Sequence, residues 1–352
     1  MATPAETVGA IATTVFLKKN LKRSWGSSNA LFQILATEDL NPGRLENIDK
    51  ITPVTNTTGK AESYKWSVSM TAPNNGGTAE RSFARGGTFD FDIDDRLVPA
   101  SATPKHYAEA VTVPTTDIDV HTSASDNENM VSEVVAQMDD GKFKLLEEIS
   151  TDLTAAASGA NTIVTLLEQI DATGTASGIA QGTHANWAAN EIAVGGRLTL
   201  QLLSKTIRDM RRSRAATLDC IIVGAGVYDL LVQEAEAKNT GWFDIVQHVG
   251  KNDKTGMMRL PLETSFDVIK VSNAIIVCDD KLDASAPTVA LGLSLKDIFL
   301  YASKAANFEV KPWEDVSIPA AIDQTRALIR WSGFTGVHSR RRHVKFTGCA
   351  TA

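Results

Sequence analysis

Histidines, cysteines, paired carboxylates and glycine turns are the groups in this chain that could run metal, nucleophilic, acid–base or phosphate chemistry. Their spacing is the first test of each. The six histidines, His106, His121, His184, His248, His338 and His343, show neither H-E-x-x-H nor any other metal-ligand spacing. No G-x-S-x-G nucleophile elbow occurs. Carboxylates stand side by side at Asp94-Asp95 and Glu147-Glu148, but adjacent side chains on a strand or helix point in different directions, so only the fold could pair them. Gly224-Ala225-Gly226 follows an apolar run in the manner of a dinucleotide fingerprint, yet the third glycine of G-x-G-x-x-G falls at Asp229, where close packing under a phosphate requires a small neutral residue. Gly250-Lys251 and Lys254-Thr255-Gly256 lack the G-x-x-x-x-G-K-[ST] order of a phosphate loop. The residues therefore point to no catalytic, metal or cofactor site, and the expectation is a chain without enzymatic activity or cofactor.

Composition narrows the class further. The chain has 352 residues, enough for about two domains, with 43% hydrophobic and 22% charged residues, as in globular proteins. No apolar run approaches the roughly 20 residues of a membrane-spanning helix, and no basic segment precedes the modest apolar run before Phe16, so neither a membrane anchor nor a secretory signal is expected. Cys220, Cys278 and Cys349 lie far apart, two of them inside strand-like runs, which predicts reduced, buried thiols made in a cytoplasm. A formal charge of −7 argues against tight coating of nucleic acid, which needs a strongly basic face.

The elements that would position functional residues are organised around one stretch. From Ser125 to about Ala157, apolar residues (Val131, Val134, Val135, Met138, Leu145, Leu146, Ile149, Leu153, Ala156) recur every three or four positions, and Ser125-Asp126-Asn127-Glu128 forms a capping box at the start. This predicts a long helix, with Gly141 as the one place where it could stop early. Residues 1 to about 60 read as an arm that gains order by lying on something else. Its basic cluster Lys18, Lys19, Lys22 and Arg23 reads as a solvated or intersubunit charge run, with nucleic-acid contact as the alternative. Between 62 and 96, Tyr64, Trp66, Val68 and Met70, then Phe89, Phe91 and Ile93, alternate with polar residues, predicting a two-stranded hairpin with a long glycine-rich tip that carries Arg81, Phe83 and Arg85. A lone hairpin is marginal, so it needs a neighbour, on its own chain or another. Residues 107–120 form a strand region. Leu198 to Arg212 predicts a helix whose Arg208, Arg211, Arg212 and Arg214 suit its C-terminal dipole. Short strands over 218–223, 267–271, 275–278, 289–293 and 299–302, with a helix from Val227 to Ala237, predict an α/β domain. Strand candidates at 326–338 and 343–346 close the chain and are expected to pack on the long helix.

This order of elements resembles that of tailed-bacteriophage major capsid proteins. The resemblance rests on Ile51-Thr52-Pro53-Val54-Thr55 followed by Tyr64-Lys65-Trp66, on Val120-His121-Thr122-Ser123 leading to a helix through Lys142 to Leu153, on the strand, turn and helix of Leu218 to Leu231 with Tyr228, and on Arg340 to Gly348. It spans the chain from about Ile51 onward. It implies an α+β architecture, the tailed-phage major capsid fold (Johnson fold): an N-terminal arm (1–60), an extended loop (61–100), a peripheral domain with the spine helix (101–172), an inserted axial α/β domain (173–318) and C-terminal strands returning to the peripheral domain (319–352). It also implies a subunit made in the host cytoplasm that assembles with itself into hexamers and pentamers of a virion capsid around double-stranded DNA. DNA would be contacted weakly and without sequence specificity, and scaffold, portal and decoration proteins are further partners of that family. Arg81, Phe83, Arg85, Lys18, Lys19, Lys22, Arg23, Arg340, Arg341 and Arg342 become candidate intersubunit contacts. Encapsulin-type shells share the fold and enclose proteins, so they stand as an alternative, beside an α/β enzyme or binding protein whose site the sequence does not display. Only about 60 residues precede the hairpin, so a separate scaffold or none is expected. No lysine occurs between Lys65 and Lys105, so the covalent crosslinking of some relatives is not carried over.

Overall fold

The computed structural model describes residues 30–36, 51–55, 61–69, 97–113, 127–182, 184–238, 268–311, 313–315 and 324–351. Among the described residues the first element is helix α1 (Ala30–Ala36), followed by strands β1 (Thr52–Thr55), β2 (Ala61–Ser69), β3 (Leu97–Ala102) and β4 (Lys105–Val113), and helix α2 (Asn127–Thr154). A short helix α3 (Leu166–Gln169) and a two-residue ladder, β5 (Thr175–Ala176) with β6 (Ile179–Ala180), lead to β7 (Asn190–Gly196), α4 (Leu200–Arg214), β8 (Cys220–Val223) and α5 (Ala225–Lys238). Then come β9 (Val268–Val271), β10 (Ala274–Cys278), α6 (Asp280–Ser285), β11 (Ala290–Leu293), β12 (Ile298–Val310), β13 (Glu314–Asp315), β14 (Thr325–Val337), a 3-10 turn at Arg340–Arg342 and β15 (Val344–Cys349).

Helix α2 is the predicted long helix, 28 residues or about 42 Å at 1.5 Å per residue. Val134, Val135, Met138, Leu145, Leu146, Ile149 and Leu153 are buried, as the periodicity requires. The helix runs through Gly141 because that position is where it approaches the sheet: a Cβ there would lie 3.0 Å from Val111 Cγ2 and 3.5 Å from Ile329 Cδ1. Ala156, read as part of the stripe, lies past the helix end and is exposed. Ser125 and Asp126 of the capping box lie outside the described residues.

Two sheets flank this helix system. In the first, β14 pairs antiparallel with β4 along one side and with β12 and β13 along the other. Tyr107 of β4 ties the sheet to the end of α2, its hydroxyl donating to Asp152 Oδ2 at 2.6 Å while accepting from the Ile163 N–H at 3.0 Å. The second sheet has the order β7-β15-β11-β8-β10-β9, in which β7, β15, β8 and β10 point one way and β11 and β9 the other. All four residues of β8 are buried because both faces are covered. Ile221 and Val223 face α4 and α5, where Leu203, Ile207, Val227 and Leu231 pack, while Cys220 and Ile222 join the large core that contains α2.

The structure departs from the sequence reading in several places. Trp66 and its neighbours on β2 pair with β3, from Tyr64↔Ala102 to Ser69↔Leu97; the partner strand expected at 89–93 lies outside the described residues. The base of this hairpin lies on its own chain: Trp66 packs edge-on against Phe299 and near-parallel to Phe334, and its indole N–H donates to the Val337 carbonyl at 3.1 Å. Strand β12, placed by sequence in the α/β region, pairs instead with β14. Strand β15 inserts between β7 and β11 rather than packing on the long helix, because its alternating Val344, Phe346 and Cys349 complete the apolar face under α4 and α5. Residues assigned to the arm also contribute: α1 is buried against α2 and β12, and β1 is an edge strand, which accommodates Pro53.

Candidate assembly surfaces

Of the ten residues singled out by sequence, Lys18, Lys19, Lys22, Arg23, Arg81, Phe83 and Arg85 lie outside the described residues. The remaining three, Arg340, Arg341 and Arg342, form one turn of 3-10 helix between β14 and β15, and at three residues per turn their side chains leave in three directions. Arg340 turns inward and is 0% exposed. Its Nε donates to the Gln169 carbonyl at 3.0 Å, Nη1 to Gly174 at 3.3 Å, and Nη2 to Glu168 at 2.9 Å and Thr173 at 2.7 Å. These four carbonyls belong to α3 and the turn after it, so Arg340 braces its own chain and offers nothing to another subunit, a correction to the sequence reading.

Arg341 and Arg342 stay at the surface. Arg342 Nη1 donates to both carboxylate oxygens of Asp297 at 3.0 and 3.3 Å, and Asp297 also accepts from the Ser294 hydroxyl at 2.8 Å. Beneath them His343 is fully buried, its Nδ1 accepting from the Ser294 N–H at 3.2 Å. Burial lowers its pKa to about 4, so it is neutral at physiological pH. Arg214, at the end of α4, reaches the same place: its Nη1 donates to the carbonyls of Ala188 and Arg341 at 3.4 and 3.3 Å. Arg341 is thereby crowded, and its pKa is held below the usual arginine range, first by burial and then by the Arg342 and Arg214 guanidinium groups. Exposed Arg208, Arg211 and Arg212 on α4 extend this basic surface.

An acidic surface forms where β8 and β10 end. Asp229 on α5 and Asp280 are exposed, and Asp283 is half-buried with its Oδ1 3.4 Å from the Gly226 N–H. They surround Cys278, whose pKa is pushed up to about 12, first by burial and then by Asp280, Asp279, Asp283 and Asp229. That thiol is half-buried rather than buried as expected, and it is protonated and inert. Asp279 caps α6 by accepting from the Lys281 and Leu282 N–H groups, and it accepts the Leu31 N–H of α1 at 2.8 Å. The Gly224-Ala225-Gly226 turn is glycine-rich for packing: a Cβ on Gly224 would meet Asp283 Oδ1 at 2.5 Å, and one on Gly226 the Thr351 carbonyl at 2.7 Å. The sequence reading missed the acidic surface; its one signal was the Asp279-Asp280 pair directly after an apolar strand.

A shallow groove of about 490 Å³ between β4 and α2 is lined by Glu109, Thr112, Gln137, Asp140 and Lys144, with an Asp140–Lys144 ion pair of 3.4 Å at its rim. Among the described residues no three His, Cys, Asp or Glu side chains converge to hold a metal ion, and no helix is long and apolar enough to cross a membrane. The two surfaces present fixed charge of opposite sign at separate places.

No family model matches the chain, and no curated protein matches it. Solved structures do. The capsid asymmetric unit of cyanophage A-1(L) aligns at a TM-score of 0.60 and 16% identity, covering 94% of this chain and 96% of that one. The capsid of a native GTA particle aligns at a TM-score of 0.50 and 11% identity, covering 94% of this chain and all of that one. The chain has the tailed-phage major capsid fold, α+β as the order of elements implied.

Proposed function

We propose that this chain is the structural subunit of an icosahedral tailed-phage capsid, a shell protein rather than an enzyme. The observation that carries the reading is the extent of the fold match: the alignment with a phage capsid structure covers 94% of this chain and 96% of that one. Fold alone does not fix function. The described surfaces support the reading by presenting fixed charge of opposite sign at separate places, as an assembling subunit needs.

In this reading residues 1–60 act as the arm, 61–100 as the extended loop, 101–172 as the peripheral domain around α2 and 173–318 as the axial domain apart from β12 and β13, which join β14 in the first sheet, with 319–352 supplying β14 to that sheet and β15 to the second. Copies assemble into hexamers and pentamers. The loop tip, with Phe83 between Arg81 and Arg85, contacts a neighbouring subunit, as do Lys18, Lys19, Lys22 and Arg23 of the arm. The closed shell is the virion capsid and encloses double-stranded DNA, touched weakly and without sequence preference, consistent with the −7 charge. Synthesis in a host cytoplasm and engagement of scaffold, portal or decoration proteins belong to the same reading.

Purified protein examined by light scattering and electron microscopy tests this. Closed particles are expected, and the nucleic acid within particles from infected cells separates a genome shell from a nanocompartment that holds proteins. A stable compact monomer under every salt condition overturns it.

A further inference from the structure

The directions of the strands place the basic and acidic surfaces at opposite ends of the second sheet. Arg341 and Arg342 immediately precede β15, and Arg214 reaches the Ala188 carbonyl just before β7, so the basic end is where the parallel strands start. Asp280 and Asp283 immediately follow β10, and Asp229 lies in the helix that follows β8, so the acidic end is where those strands finish. Strand β8 alone separates the ends by about 13 Å at 3.3 Å per residue. This exceeds the screening length of about 8 Å at physiological ionic strength, so the two ends do not neutralise one another within the chain.

Among the described residues, several countercharges near these ends are already engaged. At the basic end Asp297 is engaged by Arg342, and Asp219 is pushed up by burial; Asp209 remains on α4. At the acidic end Lys281 pairs with Glu147 at 3.5 Å and Arg197 is turned onto the Leu230 carbonyl. On α4, Arg208 stands three and four residues from Arg211 and Arg212, a like-charge spacing that destabilises an isolated helix.

Resting on the shell reading above, we propose that the basic end, built from Arg211, Arg212, Arg214 and Arg341, docks onto the acidic end of a second copy, at Asp229, Asp280 and Asp283. A contact between two different patches of the same chain is heterologous, and repeated at a fixed rotation it closes into a ring. The net charge of −7 makes copies repel at long range, so a contact between identical chains gains most where one of them is locally positive. The second copy supplies its own complement. A polyanion such as DNA would fit the basic end alone and leave the acidic end without a role.

Charge reversal in the full-length chain tests this. Arg211→Glu with Arg212→Glu, and separately Asp229→Lys with Asp280→Lys, change exposed residues, so circular dichroism and melting should match the unmodified chain. Each pair should lower particle yield by at least tenfold. Combined in one chain, the four changes exchange the ends and should restore assembly. Particles formed normally by either reversed pair overturn the proposal while leaving the shell reading intact. Failure of the four-fold variant to regain particles, with folding unchanged, also overturns it, as do normal particles from the arginine variant that have merely lost nucleic acid. If the unmodified chain forms no particles, the shell reading itself fails.

Discussion

Replacing Arg340 with alanine removes four hydrogen bonds from a charged donor to the carbonyls of Glu168, Gln169, Thr173 and Gly174. A hydrogen bond with one charged partner contributes about 1.5–3 kcal/mol, so a simple sum would reach roughly 6–12 kcal/mol. That sum is too large. The native chain has already lost the hydration of a fully buried guanidinium, and carbonyls freed in a turn regain water. No charge is left behind when Arg340 is removed, so the expected loss for Arg340→Ala is about 3 kcal/mol, the upper part of the usual range for a substitution that breaks a buried hydrogen-bond network. Arg340→Lys keeps the charge but has three donors on one nitrogen in place of a planar fork, and should lose about 1–3 kcal/mol. Arg341→Ala, at a half-buried surface site, should change subunit stability by less than about 0.5 kcal/mol. Urea unfolding of dissociated subunits, followed by tryptophan fluorescence, measures all three, and hydrogen exchange across residues 168–174 should accelerate in Arg340→Ala alone. If Arg340→Ala unfolds with the unmodified chain yet blocks assembly, the brace is wrong and Arg340 is an intersubunit contact after all.

Trp66→Ala should destabilise the subunit by about 3–5 kcal/mol, since it empties the site between Phe299 and Phe334 and orphans the Val337 carbonyl; a loss below about 1 kcal/mol in urea unfolding would show that the hairpin base is not anchored there. Burial raises Asp279 to about 6, so the native chain holds a proton that the unfolded chain releases, and this group weakens the fold as pH rises from about 4 to 6. His343, lowered to about 4 by burial, refuses a proton that the unfolded chain accepts, and weakens the fold as pH falls from about 6.5 to 4. Asp279→Asn should remove the first slope and make the urea midpoint drop more steeply on acidification; parallel pH profiles for variant and unmodified chain would contradict the assignment. Replacing residues 74–85 with an Asn-Gly turn should leave circular dichroism and melting unchanged while abolishing particles. Normal shells from that variant would show that the loop tip does not bridge subunits.

Local pattern made much of the fold legible. The three-and-four spacing from Val134 to Leu153 located α2, and uniform apolar runs located β8 and β10, because one helical face or a whole strand must leave water. Pairing was harder. Nothing local to Val344–Cys349 says that β15 slots between β7 and β11, since its partners lie about 55 and 155 residues away by chain position. The Arg340-Arg341-Arg342 run reads as a solvated charge cluster, yet one turn of 3-10 helix sends its members to three environments. The basic end was half visible: Arg208 to Arg214 read as dipole complements of α4, but their meeting with Arg341 is a contact across 127 residues. The acidic end was illegible for the same reason, being assembled from α5 and α6 around a strand end.

Assembly is the central claim, and the mass of the purified protein tests it most directly. Sedimentation velocity on the full-length chain across a range of salt concentrations, with electron microscopy of the same fractions, should show capsomers and closed icosahedral particles. A single compact species of 37.8 kDa at every concentration and salt would contradict the account.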